Sequence, residues 1–277
     1  MKTKFFTVFI LSISLISSFA QSSTQIVNEV LTKSGSATMF KQIDGMLESK
    51  IAEKKSTFKT EDDFNKFASI MRLGFNSTKA EEYFNDYFEK FTNEDSLKSV
   101  IKIYNNPLML EMTKLEEIAN SPSKQQEMQN YFAGLSSNPP KQERIQSLLR
   151  LDNATGATDM TVKLLENMIF AMINGGNQTQ PKDKQISKSE VENKLKSAFP
   201  ENFKQQMTNQ LVAVWLYTYK DVDNDKLNSY IQTWESSTGK YFSKATVSAL
   251  DYTFTKMGED FGVALGNFAN SEKTKTN

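Results

Sequence analysis

The chain has no cysteine and no histidine. Without thiols it forms no disulfide, carries no thiolate nucleophile and builds no cysteine-based zinc site. Without imidazole it has no histidine triad and lacks the side chain best suited to acid–base work near neutral pH. An excess of one charge is also missing. Thirty-three basic residues balance 33 acidic ones, so nothing electrostatic points to nucleic acid or to an anionic membrane. Glycine (11) and proline (6) are few in 277 residues, and most stand between periodic segments. Alternating β-type runs of useful length are absent.

What is present begins with an address. The opening segment MKTKFFTVFILSISLISSFA has a basic end at Lys2 and Lys4 and an apolar run from Phe5 to Ile16. Ser18 and Ala20 then place small residues where a signal peptidase reads. The expectation is export with cleavage after Ala20. The apolar run is short for a membrane span, and no cysteine follows it for lipid attachment. Losing Lys2 and Lys4 leaves the mature chain with two more acidic than basic residues. It should be soluble outside the cytoplasm, periplasmic or secreted, and long enough to bury a core without disulfides.

Helical spacing dominates the rest. Val247, Leu250, Phe254, Met257, Phe261, Leu265 and Phe268 recur every three or four residues, as one apolar helix face requires. Val100, Ile103 and Tyr104 repeat the pattern, as do Leu211, Val214, Trp215, Leu216 and Tyr219. Thr60 with Asp63 and Ser187 with Glu190 have capping-box spacing. Pro200 suits the first position of a helix running to about Tyr219. The fold class is all-α, a multi-helix bundle. Polar breaks fall at 121–123, 136–140 and 174–184. The last of these carries paired glycines and reads as the most mobile loop. A short helix fits residues 125–132. The resulting division is signal peptide 1–20, helical repeat one 21–122, linker 123–140, helical repeat two 141–270 and a disordered tail 271–277.

The word repeat rests on an ungapped alignment of residues 93–114 with 223–244. Asp95 falls on Asp225, Leu97 on Leu227, Ser99 on Ser229, Ile101 on Ile231, Tyr104 on Trp234 and Lys114 on Lys244. Upstream, Tyr87 falls on Tyr217. A polar break follows the aromatic in both copies, which favours duplication over two unrelated amphipathic helices. Both copies resemble the bacterial family of exported helical proteins catalogued as domain of unknown function 2059. Phe91, Thr92, Leu97, Tyr104 and Pro107 carry the likeness in the first copy. Leu227, Trp234, Ser236, Gly239 and Lys240 carry it in the second. Asn106, Leu108, Met109 and Ser237 depart from that family's pattern. The resemblance implies an exported, all-helical protein and no particular activity.

Catalytic patterns are weak. Asp221, Asp223 and Asp225 alternate like calcium ligands, but an EF-hand counted from Asp221 meets Lys226 where it needs glycine and Gln232 where it needs glutamate. They read as an acidic turn capping the helix from Lys226. Ser99/Lys102 and Ser237/Lys240 have Ser-x-x-Lys spacing without correctly ordered partner motifs. Thr238 to Tyr241 lacks the earlier glycine and the following hydroxyl of a phosphate loop. Adjacent carboxylates at Glu81/Glu82, Glu116/Glu117 and Glu259/Asp260 diverge around a helix and read as solvated faces. No catalytic residue, metal or cofactor is assigned.

Aromatic content says more. Twenty Phe, nine Tyr and two Trp are many for a helical chain, and Tyr83, Phe84, Tyr87, Phe88 and Phe91 crowd two turns. One core stripe cannot take them all, so Tyr83, Phe84, Tyr87 and Phe88, with Tyr104 and Trp234, are the candidate lining of a binding groove. Gly258, Gly262 and Gly266, four residues apart, line one helix face and predict close contact with another helix, with Phe254, Phe261 and Leu265 anchoring beside them. The functional expectation is an exported interaction or binding protein of the cell envelope. It would take a protein, an apolar ligand or a second copy of itself, with no nucleic acid and no integral span in the mature chain. The alternative is a carboxylate-dependent hydrolase.

Overall fold

A computed structural model describes residues 24–275. The proposed signal peptide lies outside the described residues. The described chain is a multi-helix bundle without strands. Helix α1 covers 24–33, followed by α2 (Ser36–Lys54), α3 (Glu61–Gly74), α4 (Ser77–Phe91), α5 (Glu94–Tyr104), α6 (Pro107–Ala119) and α7 (Gln125–Gly134). The second half comprises α8 (Gln142–Thr155), α9 (Ala157–Gln178), α10 (Lys188–Ala198), α11 (Phe203–Thr218), α12 (Asn224–Glu235) and α13 (Ser237–Lys275). Among the described residues no helix is long and apolar enough to cross a membrane.

Short polar residues set the starts. Asn76, Asn93, Asn106 and Asp223 each accept a first-turn N–H of α4, α5, α6 and α12, satisfying donors the helix cannot pair internally. Ser187 and Glu190 form a reciprocal capping box on α10. At α3, Thr60 accepts from the Asp63 amide at 3.1 Å and donates its hydroxyl to the Asp63 carboxylate at 2.7 Å. Pro200 departs from expectation. It precedes a turn, and α11 starts only at Phe203, whose amide bonds the Pro200 carbonyl at 2.9 Å.

Helix α13, 39 residues long, is the axis of the molecule. Helix α9 runs alongside it in the same direction: Thr155 meets Ser243, Asn167 meets Asp251, and Thr179 meets Asn270. Two parallel neighbours need a return connection, and α10, α11 and α12 supply it. On its other sides α13 packs against α3, α4 and α5. The main core draws on both halves, with Phe40, Phe84, Phe88, Leu97, Tyr104 and Met112 meeting Leu148, Leu216, Tyr219, Leu227, Ile231 and Phe242. A smaller cluster of Leu47, Ile51 and Ala68 sits under Phe64 and Phe67.

The glycine line explains why α9 and α13 lie so close. A Cβ added to Gly258 would stand 2.6 Å from the Met168 carbonyl oxygen, and one on Gly262 would press on Met172 and on the Gly176 amide at 2.9 Å. Gly175 and Gly176 are the matching flat face of α9, so the expected mobile loop at 174–184 does not form there; helix continues through Gln178. The stripe beside the glycines is uneven. Phe261 is buried against Phe75, Phe254 is half-buried, but Leu265 is exposed. Helix α13 runs on to Lys275, past residue 271 where the expected tail would begin, and residues 276–277 lie outside the described residues.

The aligned segments do share a local form. Asn93 and Asp223 cap α5 and α12, a polar break follows Tyr104 and Trp234, and both of those rings pack on Phe242. The structure does not show an internal duplication: both rings serve one shared core, and α13 has three times the length of α6.

Candidate functional site

The aromatic residues singled out from sequence build the interior. Phe84 and Phe88 are buried and stacked at 5.1 Å, and Tyr104 is buried edge-on to Phe242 at 5.7 Å. Trp234 is half-buried and stacked on that same Phe242 at 6.2 Å. Tyr83 and Tyr87 are half-buried between α4 and α13, both against Tyr252. The Tyr83 hydroxyl donates to Asp260 at 2.8 Å beside the Lys79 ammonium at 2.6 Å. Burial first, and the Asp260 contact second, push the Tyr83 phenol up to about 12. These six residues do not meet on one open groove; they pack helices together.

A cleft lies elsewhere, between α2, α6 and the start of α7, with a volume of about 540 Å³. That falls in the range of small-molecule sites. The turn joining α1 and α2 forms one end, where Gly35 takes the left-handed backbone (φ 76°). A Cβ there would stand 3.2 Å from a Glu117 carboxylate oxygen. One wall is α2, with Ser36, Thr38, Met39, Gln42 and Met46; α7 contributes Gln125 and Met128; α6 contributes Thr113, Glu116, Glu117 and Ala119.

Glu116 gives this cleft its chemistry. It stands on the inward stripe of α6 with Met109, Met112 and Thr113, which are buried. Two phenols from the other half of the chain reach it from behind: Tyr219, capping α11, and Tyr230 of α12 each donate to Oε1 at 2.5 Å. Among the described residues Oε2 accepts no hydrogen bond, it is not among the sealed, partnerless polar atoms, and Glu116 lines the cleft. Burial raises the carboxyl above its ordinary range; the two tyrosine donors pull it back down, and the neighbouring Glu117 charge pushes it up again. Burial, with the Glu116 charge next, holds both tyrosine hydroxyls well above the phenol range. The expectation that Glu116 belongs to a solvated face is therefore corrected for this residue. The signal was readable: residues 109, 112, 113 and 116 share one helix face, and an acid there is an acid in an apolar stripe.

Two shallower hollows lie elsewhere on the molecule. Ser96, Ser99, Ser237, Thr238 and Tyr241 line one of about 230 Å³. It gathers both Ser-x-x-Lys serines, but neither Lys102 nor Lys240 reaches it. The other, of about 320 Å³, lies beside the start of α9 with Lys163, Lys240 and Lys244 around it. Asp223 acts as the cap of α12, accepting from the Lys226 amide at 2.8 Å.

The class of protein the fold defines is an all-α bundle with a ligand-sized cleft and a half-buried carboxyl at its back. Comparison with protein-family models, with curated proteins and with solved structures found no match.

Proposed function

We propose that this is an exported, all-helical binding protein that takes a small ligand in the cleft between α2, α6 and α7. Glu116 carries the reading. A carboxyl costs free energy to bury unless it is paired or hydrogen-bonded, and two tyrosines 103 and 114 residues away are spent holding one of its oxygens. The residue lines a cleft walled by Met39, Met46 and Met128, unbranched side chains that adapt to a ligand's shape. Export rests on the signal-like segment, and kinship with the exported family on the cap, aromatic and polar-break pattern of the two aligned segments.

The test is methyl NMR of the protein labelled at its methionines, titrated with short alkyl compounds of differing charge. Saturable shifts at Met39, Met46 and Met128, with core residues Met109, Met112 and Met257 unmoved, are expected. Shifts absent from the three cleft methyls throughout would remove the reading. Intact mass of the exported chain, beginning at Gln21, checks the address.

The hydrolase alternative keeps one observation in its favour, two carboxyls, Glu116 and Glu117, open on one cleft. Against it, the α2 wall facing them offers hydroxyls, an amide and methionines, with no second acid across from Glu116. Paired carboxyl hydrolysis needs groups on opposite sides of the bond. Turnover of ester or glycoside substrates that is lost in Glu116→Gln would restore this reading.

A further inference from the structure

We propose that the ligand of the cleft is an organic cation, a protonated primary amine on an aliphatic chain; this rests on the binding reading above. The cleft holds two carboxyls, Glu116 and Glu117, and its lining includes no lysine and no arginine. Among the described residues neither carboxyl has an ion-pair partner. Partly buried acids elsewhere in the molecule do: Asp251 has Lys163, and Asp260 has Lys79. An anion would enter against two like charges and meet no donor cation. An ammonium would meet the free Oε2 of Glu116, with Ser36, Thr38, Gln42, Asn120 and Gln125 around it to accept its remaining hydrogens.

The shape argues for an organic cation over a metal ion. Hard cations collect six or more oxygens around one point. The described residues contain no group of three or more acids placed to do so, and the cleft is far larger than one ion. Its apolar share is mostly methionine, with Ala119 and Pro122 beside it, and Met46 is 62 % and Met39 39 % exposed. An aliphatic chain lying along these side chains while its ammonium reaches the carboxyl satisfies both halves of the lining.

Binding should then be linked to protons. The groups facing Glu116 are Tyr219 and Tyr230, whose hydroxyls stay protonated, the buried Tyr104 close by, and Glu117 beside it. Burial keeps the empty site's Glu116 carboxyl protonated to higher pH than an ordinary glutamate, and an ammonium against Oε2 displaces that proton. Affinity should rise with pH through the upper carboxylate range and then level off.

The test is calorimetric titration of the full chain with n-hexylamine, hexan-1-ol and hexanoate, which share a chain and differ in charge. The amine should bind at least tenfold more tightly than either comparison compound, with a heat that varies with the ionisation enthalpy of the buffer. Glu116→Gln should cut amine affinity tenfold or more and so remove most of the amine's advantage over hexanol. Because Glu116→Gln disturbs the tyrosine pair, Glu117→Gln serves as the second variant and should weaken the amine severalfold in a chain with normal melting. Tighter binding of hexanoate or hexanol than of the amine would overturn the cation while leaving the cleft as a binding site. Amine affinity unchanged in both variants would also overturn it. No binding of any of the three would take the binding reading down with it.

Discussion

Replacing Gly262 by alanine tests the packing of the two long helices. The new Cβ would lie 2.8 Å from the Met172 carbonyl carbon and 2.9 Å from the Gly176 amide nitrogen, nearer still to the Met172 oxygen. All three are backbone atoms of α9, so no rotamer change relieves the clash. To bring even the carbonyl carbon to ordinary contact at about 3.5 Å the axes must part by roughly 0.7 Å, and the nearer oxygen demands more; gaps of that size forfeit a quarter or more of the dispersion energy of the flanking contacts. Overpacking of this kind costs about 1–3 kcal/mol. Alanine returns about 0.5–1 kcal/mol of helix propensity over glycine, leaving a net loss of up to about 2.5 kcal/mol. Gly45 provides the control: it is exposed within α2 and a Cβ there meets nothing within 4 Å, so Gly45→Ala should stabilise by about 0.5–1 kcal/mol. Urea unfolding followed by circular dichroism reads both, as midpoint shifts of opposite sign with unchanged slope. If Gly262→Ala shifted the midpoint upward alongside Gly45→Ala, the close contact would not exist. Gly262→Leu should lose more than Gly262→Ala, because its branch must also enter the α9 backbone.

Three further outcomes follow from the same structure. Phe84→Ala should lose about 3–5 kcal/mol as a fully buried ring, while Tyr87→Ala, half-buried beside exposed Phe91, should lose well under that; equal losses measured by urea unfolding would contradict the placement of α4. Glu116 has a folded-state carboxyl raised above its unfolded value, so its protonated form favours the native state at low pH, and that contribution is lost as pH rises through the raised value. Glu116→Gln should therefore gain in stability relative to the parent chain as pH rises through that range, and a difference flat with pH would show that the carboxyl titrates as if in water. Ser187→Ala removes the cap of α10 and should cost about 0.5–2 kcal/mol, seen as faster amide exchange in α10 with α9 unchanged.

Helix type was open to sequence reasoning because it depends on neighbours three and four residues away. The stripe from Val247 to Phe261, the caps at Thr60, Ser187 and Asp223 and the breaks around Pro122 and Pro140 are all local facts, and they translate directly into helices. The glycine line of α13 could be seen as a surface awaiting a neighbour, but its partner could not. The paired glycines at 175 and 176 carry the composition of a loop, and only the packing of α9 along α13 makes them helical, because the close axis approach repays the lost propensity. The aromatic cluster failed as a groove for the related reason that burial depends on which helices surround α4, and α2 and α13 close over Phe84 and Phe88. Glu116 marks the division most clearly. Its place on the inward face of α6 was written in the spacing from Met109, yet its meaning came from Tyr219 and Tyr230, and hydrogen bonds across more than a hundred residues exist only once tertiary folding has brought α11 and α12 behind the cleft.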